Sequence, residues 1–257
     1  MEISRLLTGK RALITGTGRG QGEVIQRIFA DMGASVVGCD VLAGSAETSA
    51  ASVAQSGLQA WGRTVDLADP TAAAEWVHWG AGKLGGIDVL FNNASRPVME
   101  PFGKSTLSGW QDTIRNELDL VFYVTFAAWP HLIKSRGASV ITTASASGKL
   151  GWGSVGQAAH AAAKAGVIGF TKQIAAEGSK LGIRANTISP GYVRGPGTAG
   201  IISADAEAYI RTNMQLDPRP LTPEDIAYTA AFLASDLSLG VTGEDIAVDA
   251  GWSAGRP

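Results

Sequence analysis

The sequence has little cysteine, few aromatic residues and almost no excess of charge. Cys39 is the single cysteine among 257 residues, which excludes an internal disulfide and suits a reducing compartment. Lys and Arg number 21 against 23 Asp and Glu, and the net charge of −2 gives no indication of nucleic acid or an anionic membrane as a partner. These features are typical of a cytoplasmic globular protein.

Long hydrophobic runs are also missing. The most apolar stretch, residues 121–133, contains Thr125 and Pro130 and is shorter than the ~20 apolar residues that a spanning helix needs. The first residues, MEISRLLTGKR, lack the apolar core of a signal peptide. Neither a membrane-spanning nor an exported protein is expected, and cytoplasmic localisation is the prediction.

Glycine, by contrast, is abundant: its 33 residues are about twice the usual ~7% share. Many glycines fit repeated tight turns between strands and helices. Strands are predicted at 11–15, 35–40, 59–67, 86–95, 138–145, 182–193 and 241–251. Helices are predicted at 46–56, 70–82, 106–135, 155–180 and 222–235. This alternation predicts one α/β domain over residues 1–257, a doubly wound parallel sheet of about seven strands with helices on both faces.

A glycine-rich turn, TGTGRGQG at residues 15–22, connects the first strand to a helix. Backbone N–H groups and the positive helix end at such a turn form a phosphate cradle. Asp40 ends the second strand, 18 residues after Gly22, where a carboxylate can accept hydrogen bonds from an adenosine ribose and repel a 2′-phosphate. Asp66 and Asn93 also follow strands, at the edge of the sheet where ligands bind.

His160 and Lys164 lie four residues apart in an alanine-rich segment that is predicted to be helical, so both side chains leave the same face. A lysine beside an imidazole disfavours the imidazolium and keeps the ring in its basic form. Hydroxyls of Ser145 or Ser147 could bind a substrate oxygen. Taken alone, the segment is more typical of an ordinary surface helix, and the rest of the chain favours the chemical interpretation.

The order and spacing of these pieces resemble the short-chain dehydrogenase/reductase family over residues 8–252. The matching motifs are TGTGRGQG, Asp40, VDL at 65–67, NNA at 92–94, Asn116, a serine after strand five, Lys164, SPGYV at 189–193 and VTGEDIAVDAG at 241–251. The resemblance implies a single Rossmann-like domain that binds NAD or NADP. It also implies hydride transfer between the nicotinamide and an alcohol or ketone, often in a tetramer.

The resemblance assigns roles by position. Asp40 would hold the adenosine ribose, which implies NAD as the cofactor, and Lys164 would bind the nicotinamide ribose. Arg19 occupies a position where some members contact a 2′-phosphate and others use NAD. Asn116 would hold a water of the proton relay, and no metal is expected. The cofactor positions are Gly16, Arg19, Gly20, Gln21, Gly22, Asp40, Asp66, Leu67, Asn93, Ala94, Lys164, Pro190, Gly191 and Val193.

The chain departs from the family at the proton-donor position, where His160 replaces the expected tyrosine. The first hypothesis is an NAD-dependent oxidoreductase that interconverts a secondary alcohol and a ketone, with His160 as acid/base. The alternative is an NAD-binding member with lost or changed redox chemistry: a lyase, an isomerase or a regulatory binding protein. The candidate catalytic residues are Ser145, Ser147, His160, Lys164 and Asn116.

The choice between Ser145 and Ser147 stays open, with Ser145 preferred because a strand exit fixes its geometry. Ser145 fits the exit of strand five, whereas Ser147 has the usual 13-residue interval to the proton-donor position. The resemblance puts Trp152, Tyr192, Val98 and residues 201–202 of a lid at 194–217 where the family lines its pocket, which implies a small apolar or cyclic alcohol or ketone as substrate. Helices 106–135 and 155–180 carry more apolar surface than one sheet face needs, so a homotetramer is expected.

Overall fold

A parallel β-sheet forms the centre of the computed structural model, which describes residues 5–153, 155–195, 203–213 and 219–255. Within these ranges the sheet has seven strands in the order β3-β2-β1-β4-β5-β6-β7, and every pair is parallel. The prediction of a doubly wound parallel sheet is confirmed. The strands are β1 (Arg11–Thr15), β2 (Ser35–Asp40), β3 (Ala60–Thr64), β4 (Val89–Asn92), β5 (Ser139–Thr143), β6 (Arg184–Pro190) and β7 (Asp245–Val248).

Helices cover both faces of this sheet and enclose two hydrophobic cores. Leu13 and Ile14 are neighbours in β1, and because side chains alternate along a strand they belong to opposite cores. Phe29 of α1 packs in the core of Ile14, and Trp76 of α3 packs in that of Leu13. The helices are α1 (Gly20–Asp31), α2 (Ser45–Ala54), α3 (Pro70–Leu84), α4 (Leu107–Ile114), α5 (Leu120–Lys134), α6 (Ala158–Gly178), α7 (Ala204–Asn213) and α8 (Pro223–Ala234).

The single helix predicted at 106–135 is interrupted. A π-helical segment, Arg115–Asp119, separates α4 from α5. A π turn inserts an extra residue and rotates the side chains that follow it. Asn116 and Glu117 are consequently both buried, although a polar residue within a helix is usually exposed. Apolar periodicity identifies a helix here but does not distinguish an α-turn from a π-turn.

Smaller differences concern the ends of elements. β3 ends at Thr64, so Asp66 lies in the loop beyond the strand, and α6 starts at Ala158 rather than at 155. The predicted lid at 194–217 falls partly outside the described residues, since 196–202 and 214–218 are not among them. Its described part contains α7.

The strand order reverses between β1 and β4, which opens a crevice at the carboxyl ends of these strands. Thr15 Oγ1 ties the two strand ends together by accepting hydrogen bonds from the backbone N–H groups of Asn93 at 2.8 Å and Ala94 at 2.9 Å. The two strand ends that border the crevice are therefore held together by hydrogen bonds. Across the described ranges, no helix is long and apolar enough to cross a membrane.

Candidate active site

A cavity of about 420 Å³ occupies the crevice. It brings together nearly every position that the sequence singles out, from the glycine-rich turn to α6. Gly22 is the exception among those positions, because it does not line the cavity. The predicted residues that line it are Gly16, Arg19, Gly20, Gln21, Asp40, Asp66, Leu67, Asn93, Ala94, Asn116, Ser145, Ser147, His160, Lys164, Pro190, Gly191 and Val193.

The glycine-rich turn needs its glycines for close approach. Gly16 has φ +74°, and a Cβ there would lie 2.9 Å from the Cα of Ala94. A Cβ on Gly22 would lie 2.0 Å from the carbonyl oxygen of Gly16, so Gly22 lets α1 pack against the turn. No side chain of the described residues caps the N-terminus of α1. Its first N–H groups are available at the cavity, and this arrangement suits a phosphate.

Asp40 stands at the cavity end of β2. Its Oδ2 accepts the backbone N–H of Gly18 at 2.9 Å, and its Oδ1 accepts that of Leu42 at 3.0 Å. A Cβ on Gly18 would lie 2.8 Å from the Asp40 carboxyl carbon, so only glycine permits this contact. Each carboxylate oxygen keeps a further lone pair, which can accept a hydroxyl.

Lys164 is buried below the opposite end of the cavity. Its side chain is 3% exposed, and its Nζ donates to the carbonyl oxygen of Thr143 at 2.9 Å. Burial lowers the pKa of Lys164, against the opposing charge of Glu117. Gly148 lets the loop after β5 approach α6, since a Cβ there would lie 2.9 Å from the Lys164 carbonyl carbon.

Glu117 is the group that sequence reasoning missed. Its side chain is 0% exposed, and its Oε2 lies 2.7 Å from His160 Nδ1. Its Oε1 accepts the hydroxyl of Ser95 and lies 3.8 Å from Lys164 Nζ. Burial alone would raise the pKa of Glu117, but Lys164, His160 and Ser95 outweigh it and hold the pKa below its ordinary value. The carboxylate is therefore ionised near neutral pH.

The contact with Glu117 determines the tautomer of His160. An ionised carboxylate only accepts hydrogen bonds, so the hydrogen-bond pattern assigns a proton to Nδ1 and leaves Nε2 of a neutral ring with a lone pair. The ring lines the cavity with its side chain 13% exposed. The sequence predicted that Lys164 acts on this ring directly. That picture is incomplete, because the ionisable group in contact with the ring is Glu117.

Asn116 lines the cavity with both ends of its amide engaged. Its Nδ2 donates to the carbonyl oxygen of Asp112 at 2.7 Å, and its Oδ1 accepts from Arg96 Nη2 at 3.2 Å. Arg96 also lines the cavity and was not predicted. Nδ2 keeps a second N–H and Oδ1 a second lone pair for a relay water, and that role stays a prediction.

The two candidate serines differ in what their hydroxyls do. Ser145 Oγ accepts the backbone N–H of Ser147 at 3.1 Å, and its own proton has no acceptor among the described residues. Ser147 Oγ donates to Gln157 Oε1 at 3.2 Å, so its proton is already committed. The geometry therefore favours Ser145 as the hydroxyl that can donate to a substrate oxygen.

Fold and cavity together define a Rossmann-like, dinucleotide-binding α/β protein with an ionisable cluster at one end of its cleft. A family model described as enoyl-(acyl carrier protein) reductase matches residues 16–253. The chain belongs to the short-chain dehydrogenase/reductase family, and the relatives compared with it are oxidoreductases.

Relatives and solved structures agree with this assignment. The chain is 32% identical over 246 residues to the 3-oxoacyl-[acyl-carrier-protein] reductase FabG of Vibrio cholerae, covering 95% of this chain and 98% of that protein. It is 34% identical over 250 residues to meso-2,3-butanediol dehydrogenase of Serratia marcescens, covering 96% and 97%. A short-chain dehydrogenase of Burkholderia cenocepacia in complex with NADP superposes with a TM-score of 0.88 at 29% identity, covering 96% and 99%. A dehydrogenase/reductase of Sinorhizobium meliloti superposes with a TM-score of 0.90 at 28% identity, covering 97% of each chain.

Proposed function

We propose that this protein is an NAD-dependent dehydrogenase that interconverts a small secondary alcohol and a ketone, with His160 as the acid/base. One observation carries the proposal: His160 faces the cavity with Nδ1 held by Glu117, so Nε2 is the ring atom available to a substrate. Asn116, Ser145 and Lys164 line the same cavity. The family resemblance supports assigning the reaction to these positions.

The residues at the glycine-rich end fit a nicotinamide dinucleotide. A Cβ on Gly16 or Gly18 would fill the cradle, and the uncapped start of α1 supplies N–H donors for the pyrophosphate. Asp40 would accept the adenosine ribose hydroxyls and repel a 2′-phosphate, which favours NAD. The Burkholderia cenocepacia structure is a complex with NADP. The preference proposed for this chain therefore rests on the charge of Asp40 and not on the resemblance to that structure.

A nicotinamide dinucleotide held by the glycine-rich turn, Asp40 and Lys164 would supply the hydride acceptor or donor for the carbinol carbon. Ser145 donates its hydroxyl proton to the substrate oxygen and orients it. His160 Nε2 takes the proton of the substrate's own hydroxyl group during oxidation and returns it to the substrate oxygen during reduction. Lys164 holds the ribose and keeps a positive charge beneath the site. In this scheme Ser147 supports the loop through Gln157 rather than contacting the substrate.

The lining around the substrate end supports a small and largely apolar substrate. Trp152 and Trp252 meet edge to face with ring centroids 5.2 Å apart, and Met99 and Val155 also line the cavity. Arg96 adds one charged side chain to this lining. Meso-2,3-butanediol dehydrogenase is a relative whose name specifies a small secondary diol.

An exposed aromatic cluster supports the prediction of a homotetramer. Phe122 and Phe126 of α5 are 49% and 71% exposed and stack with centroids 5.7 Å apart, and Phe170 of α6 contacts Phe122. Exposed aromatic clusters commonly lie at protein interfaces. Sedimentation would contradict this prediction if it showed a stable 26.5 kDa monomer at micromolar concentration. The lone buried cysteine is compatible with the cytoplasm.

A panel assay tests the proposed function. The protein is mixed with NAD or NADP and a set of small secondary alcohols, and formation of the reduced nicotinamide is followed by absorbance. The expected result is reduction of NAD with at least one alcohol and loss of that activity in His160→Phe. Tight NAD binding without turnover of any alcohol or ketone, in either direction, would favour the alternative of changed redox chemistry.

A further inference from the structure

A buried carboxylate beside the acid/base of the proposed site has no role in the scheme above. Glu117 lies in the π-helical segment, its side chain is 0% exposed, and each of its oxygens has a partner in the cluster. Taking an unpaired carboxylate out of water is costly, so its presence needs compensation. The compensation comes from Ser95, His160 and Lys164, and all three line the cavity.

We propose that Glu117 is a positioning residue for His160: it holds the ring in the tautomer whose Nε2 accepts the substrate proton, and Ser95 in turn holds Glu117. The inference rests on the proposed function, because it explains how His160 is made competent for the proton transfer assigned to it. Nothing in the motifs of the chain predicts this role, since the three residues lie on separate elements.

The first argument is geometric. An imidazole has two nitrogens, and a neutral ring is a base at only one of them. The 2.7 Å contact with Glu117 Oε2 favours the proton on Nδ1. It also prevents the ring from turning over, which would present the wrong nitrogen to the cavity. A base held in one orientation loses less freedom when the substrate binds.

The second argument is electrostatic. Lys164 carries a positive charge beneath the site, and a second positive charge on His160 would be disfavoured without an anion between them. Glu117 supplies that anion, with Oε1 3.8 Å from Lys164 Nζ and Oε2 against the ring. When His160 receives the substrate proton, the imidazolium keeps its Nδ1–H bond to the carboxylate. The transfer then creates an ion pair in place of an uncompensated charge.

Glu117→Gln gives a sharp test, because the amide has a preferred orientation in this cluster. Ser95 donates to Oε1 and the Lys164 ammonium lies 3.8 Å from it, so the amide oxygen is expected there. The amide NH₂ then faces His160 Nδ1 and donates to it. This arrangement selects the opposite tautomer, with the proton on Nε2, and blocks proton acceptance from the substrate.

The tautomer can be observed without any substrate. The protein is labelled with ¹⁵N-histidine and saturated with NAD, and two-bond ¹H–¹⁵N correlation spectra are recorded at a pH where the rings are neutral. His160→Phe identifies the His160 signals among the three histidines of the chain. The expected result is the Nδ1–H form in the parent protein and the Nε2–H form in Glu117→Gln.

Kinetics then separate positioning from general structural support. In Glu117→Gln we expect kcat to fall on the order of 10²-fold or more, with smaller changes in KM and NAD affinity. Ser95→Ala removes one hydrogen bond from the carboxylate and should lower kcat by up to about tenfold. Glu100→Gln is the matched control. Glu100 accepts the backbone N–H of Thr106 at 2.8 Å and does not line the cavity, so kcat should stay unchanged.

The possible outcomes distinguish this inference from the proposed function. An unchanged tautomer in Glu117→Gln overturns the positioning role, whatever happens to kcat. A loss of kcat in a variant that keeps the parent tautomer would show only that Glu117 supports the structure of the site, and would overturn the positioning role. If Glu117→Gln does not fold, Ser95→Ala is decisive, and normal kcat with an unaltered Nδ1–H signal counts against the inference. Full turnover by His160→Phe instead defeats the proposed function, while the tautomer experiment still reports on the Glu117 contact.

Discussion

The two ends of the cavity are built in different ways. At the cofactor end, backbone geometry dominates, with glycines that bring the β1–α1 turn close to its neighbours and Asp40 fixed by two backbone N–H groups. At the reaction end, the cluster consists of side chains from three separate segments. Ser95 follows β4, Glu117 lies in the π-helical segment, and His160 and Lys164 project from α6.

This difference determines how each end responds to change. A backbone cradle is tolerant of side-chain chemistry but intolerant of added volume, because its contacts are made by main-chain atoms. A side-chain cluster is tolerant of small shifts in shape but depends on charge and proton placement. Substitutions at the two ends should therefore separate binding from turnover.

The largest effect is expected for His160→Phe, which removes the proposed acid/base at the reaction end and leaves the cofactor end unchanged. Phenylalanine fills similar space but cannot exchange a proton, so kcat should fall roughly 10²–10⁴-fold. NAD affinity should change by no more than about twofold, because Lys164 and the glycine-rich turn are retained. Stopped-flow turnover and a fluorescence titration with NADH measure the two quantities. Parallel losses in both would show that the two ends are not separable.

The same contrast explains how much the sequence revealed. The glycine-rich turn and Asp40 follow from local patterns, since Gly22 is needed for a contact with Gly16 within one β–α unit. His160 and Lys164 are likewise neighbours on one helix. For these residues, spacing along the chain translates directly into spacing in the structure.

Glu117 and Ser95 could not be found in this way. The predicted helix 106–135 gave Glu117 no role, whereas the structure buries it in the π-helical segment. Ser95 meets Glu117 across 22 residues of chain, and Glu117 meets His160 across 43. The one available signal was an acidic residue four positions before the apolar run 121–133. Tertiary packing, and not propensity, decides where such a residue goes.

Gly22→Ala should damage the cofactor end through volume alone. The new Cβ would lie 2.0 Å from the Gly16 carbonyl oxygen and 2.8 Å from Asn93 Nδ2, so the turn must shift. We expect the free energy of unfolding to fall by about 1–3 kcal/mol and NADH affinity to fall about tenfold or more. Gly82→Ala in α3 is the control, because nothing lies within 4 Å of its Cβ. Alanine there should stabilise the helix by up to ~1 kcal/mol.

The choice between NAD and NADP depends on the charge of Asp40, which backbone N–H groups hold at the cofactor end. Asp40→Ala removes the carboxylate, and Val41→Arg adds a cation at a side chain that lines the cavity and is 48% exposed. The double variant should shift the ratio of NAD to NADP affinity toward NADP by roughly 10–10²-fold, equivalent to about 1.4–2.7 kcal/mol. Calorimetric titration with both dinucleotides measures the ratio. Equal or tighter NADP binding by the parent protein would remove Asp40 from its assigned role.

The smallest effect is expected at Asp88, a carboxylate that lies at neither end of the cavity. Its contacts show what the rest of the fold contributes to stability. Asp88 accepts from Arg11 Nε and Nη2, both at 2.8 Å, and from the hydroxyl of Ser135. Burial alone would raise the pKa of Asp88, but these donors outweigh it and hold the pKa below its ordinary value. The folded state therefore binds this proton less readily than the unfolded chain. The resulting stability is fully present above the unfolded value of ~3.9 and is lost as the pH falls through the lower folded value.

Asp88→Asn isolates this contribution from that of Glu117. At pH 7 the variant should lose about 1–2 kcal/mol of unfolding free energy, because the paired charge is gone, and kcat should not change. The gap between parent and variant should narrow as the pH falls below 4, since the unfolded parent then binds a proton at Asp88 more readily than the folded parent does. Urea unfolding at pH 7, 5 and 3.5 measures the gap.

Asp236→Asn serves as the control, because its ion pair with Lys10 is 74% exposed on the aspartate side and contributes little. A gap that stayed constant with pH would mean that the Arg11 pair does not stabilise the scaffold through charge. Acid sensitivity would then have to come from another carboxylate, with Glu117 at the reaction end the first to test because its pKa is displaced in the same direction.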